Sequence, residues 1–163
     1  MTKILEKAVL GLVTVVVMTA CQGNVLYHSY CPLSPDGWDR CDTVWFDADV
    51  QFDETMAYQY RIGIRHSDSY PYRDIWLKAG RDTLHIHLAD GEGRWKGNGI
   101  GETHLLELPV NLYAPEDTSG RIGVIHLMQH NPLPGVSHIG LCLMKAASGI
   151  QAQEDKQKNG ETP

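Results

Sequence analysis

Residues 74–89 read DIWLKAGRDTLHIHLA, and the pattern inside them decides the fold. Leu84, Ile86 and Leu88 alternate with His85 and His87, the period of two of a strand with one buried face. Gly80-Arg81-Asp82 separates this run from the β-rich run DIWLKAG. Two such runs on either side of a tight turn predict a hairpin.

The same signature recurs in both directions. In residues 43–50, TVWFDADV, Val44, Phe46, Ala48 and Val50 share one face, and Trp45, Asp47 and Asp49 the other. In residues 57–67, AYQYRIGIRHS, Tyr58, Tyr60, Ile62 and Ile64 alternate with Gln59, Arg61, Gly63 and Arg65. Residues 105–113, 120–130 and 137–145 are again short and β-rich, with Pro109 marking an edge or a bulge. No segment after residue 21 keeps apolar residues at helical spacing for three turns. About seven strands divided by turn residues predict an all-β domain, an antiparallel β-sandwich of jelly-roll or Ig-like type, over residues 21–145 with a short N-terminal tether. Residues 146–163 are polar and are expected to form a disordered tail.

Residues 1–20 do not belong to that core. Lys3 and Lys7 precede an apolar run from Ala8 to Met18, which is a signal peptide pattern, and the run falls short of the roughly 20 apolar residues of a membrane helix. Met18-Thr19-Ala20-Cys21 resembles a bacterial lipobox, so Cys21 is the expected lipidation site. Acyl chains on Cys21 would hold the domain on a lipid bilayer at about 0.8 kcal/mol per buried CH₂. Residue 22 is Gln, not the Asp of inner-membrane retention, and residues 22–25 lack the acidic cluster of a surface-export signal. An outer-membrane lipoprotein facing the periplasm is expected. Removing Lys3, Lys7 and Glu6 from 14 basic and 20 acidic residues leaves 12 against 19. That acidic balance argues against nucleic acid as a partner, because such binding rests on Lys and Arg.

In an oxidising compartment Cys31 and Cys41, which bracket PLSPDGWDR, could close a small loop as a disulfide worth up to roughly 3 kcal/mol. Cys142, within HIGLCLM, is expected as a buried core side chain. The three lack any C-x₂-C zinc spacing.

Motifs for chemistry are sparse. The glycine-rich residues 88–104, LADGEGRWKGNGIGETH, lie between strands and contain neither Gly-Lys-Ser/Thr nor a G-x-G-x-x-G opening a helix, so no nucleotide and no cofactor is expected. Asp90, Glu92 and Glu102 could supply oxygens to calcium, but the EF-hand register is missing. Glycines that permit bulges and turns, with Trp95 packed over a sheet edge, explain the stretch more simply. His85 and His87 project from one strand face and could begin a metal site. A solvated strand face accounts for them as well, and no metal is assigned. Without a nucleophile elbow or an activated cysteine, an enzyme is not expected. The aromatic and Arg content of Tyr70, Tyr72, Arg73 and Trp76, with Trp95, suits an interaction surface. The same aromatic residues, Arg73 aside, could instead line a glycan platform.

These residues resemble, in order, the GldH gliding-motility lipoprotein family of Bacteroidetes. The resemblance is carried by Cys21, by PDGWDRCDTVWFD with Trp38, Asp42 and Phe46, by SYPYRDIWL, by RDTLHIHLADGEGRWKGNGIGE and by LPGVSHIGL. It covers most of residues 21–145. It implies a role in the gliding machinery and its linked type IX secretion, through contacts with other envelope proteins. It brings no established catalytic or binding residues.

Overall fold

The computed structural model describes residues 24–50, 52, 57–112 and 120–146. The expected signal peptide, residues 1–20, the lipidation site Cys21 and all of the expected tail but Ala146 lie outside them. Nine strands follow in order: β1 (Val25–Pro32), β2 (Val44–Asp47), β3 (Tyr58–Ser67), β4 (Asp74–Ala79), β5 (Asp82–His87), β6 (Asn98–Ile100), β7 (Thr103–Val110), β8 (Arg121–His126) and β9 (Val136–Lys145). No helix occurs among the described residues.

The hairpin expected from residues 74–89 is β4 and β5. Ile75 faces Ile86 and Leu77 faces Leu84 across the antiparallel pair. Gly80-Arg81 forms the two-residue loop, with Gly80 at φ 58°. A positive φ at the first loop position and none at the second matches the type II′ geometry whose twist suits adjoining strands.

The strands form two antiparallel sheets, one ordered β1-β9-β3-β7-β6 and the other β2-β8-β4-β5. Apart from the hairpins β4–β5 and β6–β7, each connection crosses from one sheet to the other. With the short β6 set aside, the remaining eight strands have the interleaved order of a jelly roll, two four-stranded sheets built by Greek-key connections. An Ig-type sandwich would place the strands differently, so of the two expected types the structure selects the jelly roll.

The alternation read from the sequence is what fills the space between the sheets. Ile62 and Ile64 of β3 and Ile139, Leu141 and Leu143 of β9 face Phe46 of β2, Ile75 and Leu77 of β4 and Val124 of β8, all essentially without solvent contact. Each such side chain contributes about 1.5–3 kcal/mol relative to exposure. One end of the core is plugged by Trp38, whose backbone exchanges N–H···O bonds of 2.9 and 2.8 Å with Leu133 and whose indole N–H donates to Asp42 O at 2.8 Å.

Two strands were not legible. β1 buries no side chain fully, because it is an edge strand, so it carries no clean apolar alternation. β6 has three exposed residues, one of them Gly99. Cys142 departs from expectation as well: it lies on the outward side of β9, half-buried, between the core residues Leu141 and Leu143. Cys31 and Cys41 stand as free thiols, not as a disulfide. Cys31 lies near the end of β1 with its Sγ 3.9 Å from Trp45 O, while Cys41 is exposed in the loop that crosses to the other sheet.

Candidate functional site

The outward face of the five-stranded sheet is organised by one tyrosine. Tyr30 of β1 is in register with Gly140 of β9, Gly140 with Gly63 of β3, and Gly63 with Glu107 of β7. Two glycines in this cross-strand row leave a trough, and the Tyr30 ring lies in it. A Cβ at either glycine would collide with that ring. The Tyr30 hydroxyl thereby reaches across two strands and donates to Glu107 Oε1 at 2.5 Å. Burial, followed by the bond to Glu107, pushes the phenol well above the ordinary tyrosine range. Arg65 lies 5.8 Å from the ring centroid, and Arg61 Nη2 is 3.9 Å from Glu107. Beside the ring is a shallow cavity of about 170 Å³, with His28, Arg61 and Cys142 among its walls. Burial raises the Cys142 thiol above its usual range, so it is held as a thiol.

The four-stranded sheet presents a more apolar outward face. Trp45 of β2 is 48% exposed, Trp76 of β4 is 42% exposed, and Leu127, just past β8, is 40% exposed. Trp45 lies over Gly123, where a Cβ would meet its ring, and the Arg121 guanidinium stacks 4.2 Å from its centroid while its Nε reaches Asp47 at 2.9 Å. Trp76 stacks on His85 with centroids 4.0 Å apart and planes within 8°. His85 Nε2 is 2.5 Å from Asp74 Oδ2, and the His87 ring stands edge-on to His85 at 4.5 Å. The hairpin register sets this cluster: Asp74 opposes His87 and Trp76 opposes His85. One ligand atom from each of Asp74, His85 and His87 lies within 4.8 Å of the others. The sequence showed the two histidines; Asp74, eleven residues before His85, joins them only through strand pairing.

The expected aromatic surface is divided by the fold. Tyr70 is not a surface residue: it is 3% exposed, packs in the core and donates its hydroxyl to Asp74 O at 2.8 Å. Tyr72 is half-buried against it, ring centroids 5.8 Å apart, with its hydroxyl 3.3 Å from His130 Nδ1. Trp95 is half-buried and packs edge-on to His66 at 4.6 Å. Arg73 is exposed near Gly93, and its carbonyl accepts N–H bonds from Leu88 and Ala89. Of the five, Trp76 alone stands on the broad sheet face with Trp45. Trp45 already lay on the outward side of its strand pattern, but only the sheet order shows that it shares a face with Trp76, with β8 between their strands.

The glycine-rich stretch is a crossing between sheets. Asp90 Oδ1 accepts from the backbone N–H of Glu92 and Arg94, and the Arg94 side chain bridges Asp90 and Glu92 at 2.9 and 3.0 Å. The Arg94 N–H first, then its side chain, holds the Asp90 carboxyl below the usual carboxylate range. Gly97, at φ 87°, passes so close to Leu105 O that no side chain fits there. These acids are engaged in shaping a turn, and Glu102 does not converge with them in any metal-ligand group of the described residues.

Two histidines are fully buried, His66 in β3 and His126 in β8. Neither nitrogen of His126 has a hydrogen-bond partner among the described residues, nor does His66 Nε2. Burial pushes both rings below the ordinary histidine value.

Compared with known proteins, the chain matches the family model described as GldH lipoprotein over residues 25–143. No curated protein and no solved structure matches it.

Proposed function

The chain belongs to the GldH lipoprotein family, the match covering residues 25–143, and from this premise we propose that it is a non-enzymatic, membrane-anchored component of the gliding machinery and its linked type IX secretion. Membership in a lipoprotein family implies a chain held at a membrane of the cell envelope. In the proposed arrangement the lipid is on Cys21, the membrane is the outer one and the domain faces the periplasm, as Gln22 and the missing acidic cluster suggest.

The observation that supports action by protein contact is the outward face of the four-stranded sheet. Trp45, Trp76 and Leu127 share it with Arg121, and exposed Trp and Arg on one face are the composition of an interface centre. This face replaces the surface expected around Tyr70, because Tyr70 is core. Crosslinking in intact cells tests the reading. Recovery of the same few motility or secretion proteins with the native chain, and their loss with Trp45→Ala/Trp76→Ala of unchanged fold, is the expected result. Equal recovery from both would reject this face as the contact. Recovery of polysaccharide in place of protein would point to glycan binding.

A further inference from the structure

We propose that Asp74, His85 and His87 form a site for a divalent transition metal of the zinc class on the outward face of the β4–β5 hairpin. The site is independent of any role in motility. Its donors are two imidazoles and one carboxylate, a set that suits zinc with three protein ligands and a remaining position for water or for a donor from a partner.

Geometry carries the proposal. Strand pairing places Asp74 opposite His87, with His85 on the diagonal, so all three project from the same side of one hairpin. Their ligand atoms lie within 4.8 Å of one another, and His85 Nε2 stands 2.5 Å from Asp74 Oδ2. Around one tetrahedral zinc with ligands at about 2.0–2.1 Å, such atoms stand about 3.3 Å apart. That distance falls within the 4.8 Å that bounds the three ligand atoms.

The supporting structure fixes what must not move. Trp76 lies parallel to His85 at 4.0 Å and sets the ring plane. Beneath the cluster, Ile75, Leu77 and Ile86 anchor the hairpin in the core, and the tight Gly80-Arg81 loop holds its register. Sites on strands pinned this way are more precise than sites on loops. A bare Asp–His hydrogen bond would explain Asp74 and His85 alone. The register adds His87 on the same side as a third donor.

Untagged full-length protein, purified in detergent, stripped with chelator and equilibrated with zinc, is expected to retain one equivalent after desalting. Cobalt in place of zinc should give visible absorption bands of a low-coordinate centre. His85→Gln and His87→Gln should each weaken binding by at least about tenfold, since even losing a residue that only orients a ligand costs about 10- to 100-fold. His28→Gln, on the other sheet, should change neither readout. Trp76→Ala should keep the stoichiometry and weaken the affinity, as expected of a positioning residue. Failure of the native chain to retain zinc, or an equal equivalent in a folded His85→Gln/His87→Gln variant, would overturn the proposal.

Discussion

At the scale of single residues, the fold depends on positions where a side chain is missing. In the sequence Gly63 is one more position in the alternation of its strand and Gly140 has no signal of its own; that they form a trough for Tyr30 follows from register, which no local pattern specifies. Gly140→Ala is expected to lift the Tyr30 ring and cost about 1–3 kcal/mol as an overpacked contact, measured by urea unfolding. Tyr30→Phe removes only the partly exposed bond to Glu107 and should cost about 1 kcal/mol. The buried histidines give the second residue-scale expectation. Their folded-state values lie below the ordinary 6.5, so the unfolded chain binds protons first as pH falls. Stability is then complete above about pH 6.5 and declines progressively below it, toward the lowered folded-state values. His126→Phe, which removes two unpartnered nitrogens beside Trp38, should make the acid limb of a stability–pH curve shallower. A slope unchanged by this variant would show that other groups set the acid limb.

At the scale of elements, legibility followed locality and burial. The β4–β5 hairpin could be read because its turn and its alternation are contiguous. β2, β3 and β9 could be read because each carries alternating buried apolar residues, followed in β3 by the buried His66. The edge strand β1 and the short β6 left no such trace, because neither has a face sealed from water. The convergence of Asp74 with His85 and His87 belongs to pairing rather than to any one strand. Gly80 tests the hairpin without touching its packing, since a side chain there meets nothing within 4 Å. Gly80→Ala is therefore expected to cost about 1–2 kcal/mol through backbone strain alone, at φ 58°. Leu77→Ala, which empties a core position on the same hairpin, should cost more, about 2–5 kcal/mol. If the two cost the same in denaturant, the strain account of Gly80 fails.

At the scale of the whole molecule, two outward faces differ in character. The five-stranded face is polar and tied together by Tyr30, Glu107 and the arginines, whereas the four-stranded face shows tryptophan to solvent. This division makes a partner-binding change expected on one side and a stability change on the other. Trp45→Ala should leave the fold intact, costing only about 0.5–1 kcal/mol through its lost Arg121 contact, while Gly63→Ala should destabilise without altering capture of a partner. The Tyr30 row bears on how the molecule takes force. From Cys21 to Val25 the chain can extend at most about 14 Å, so tension on a lipid at Cys21 would reach the edge strand β1 almost directly. An edge strand pulled from its end peels away one rung at a time, but Tyr30 fastens β1 to Glu107 three strands further in and turns the first part of that peeling into a load shared across the sheet. In single-molecule pulling from the N-terminus, Tyr30→Phe should lower the first rupture force by more than its modest equilibrium cost suggests; an unchanged force would mean that the clasp bears no tension.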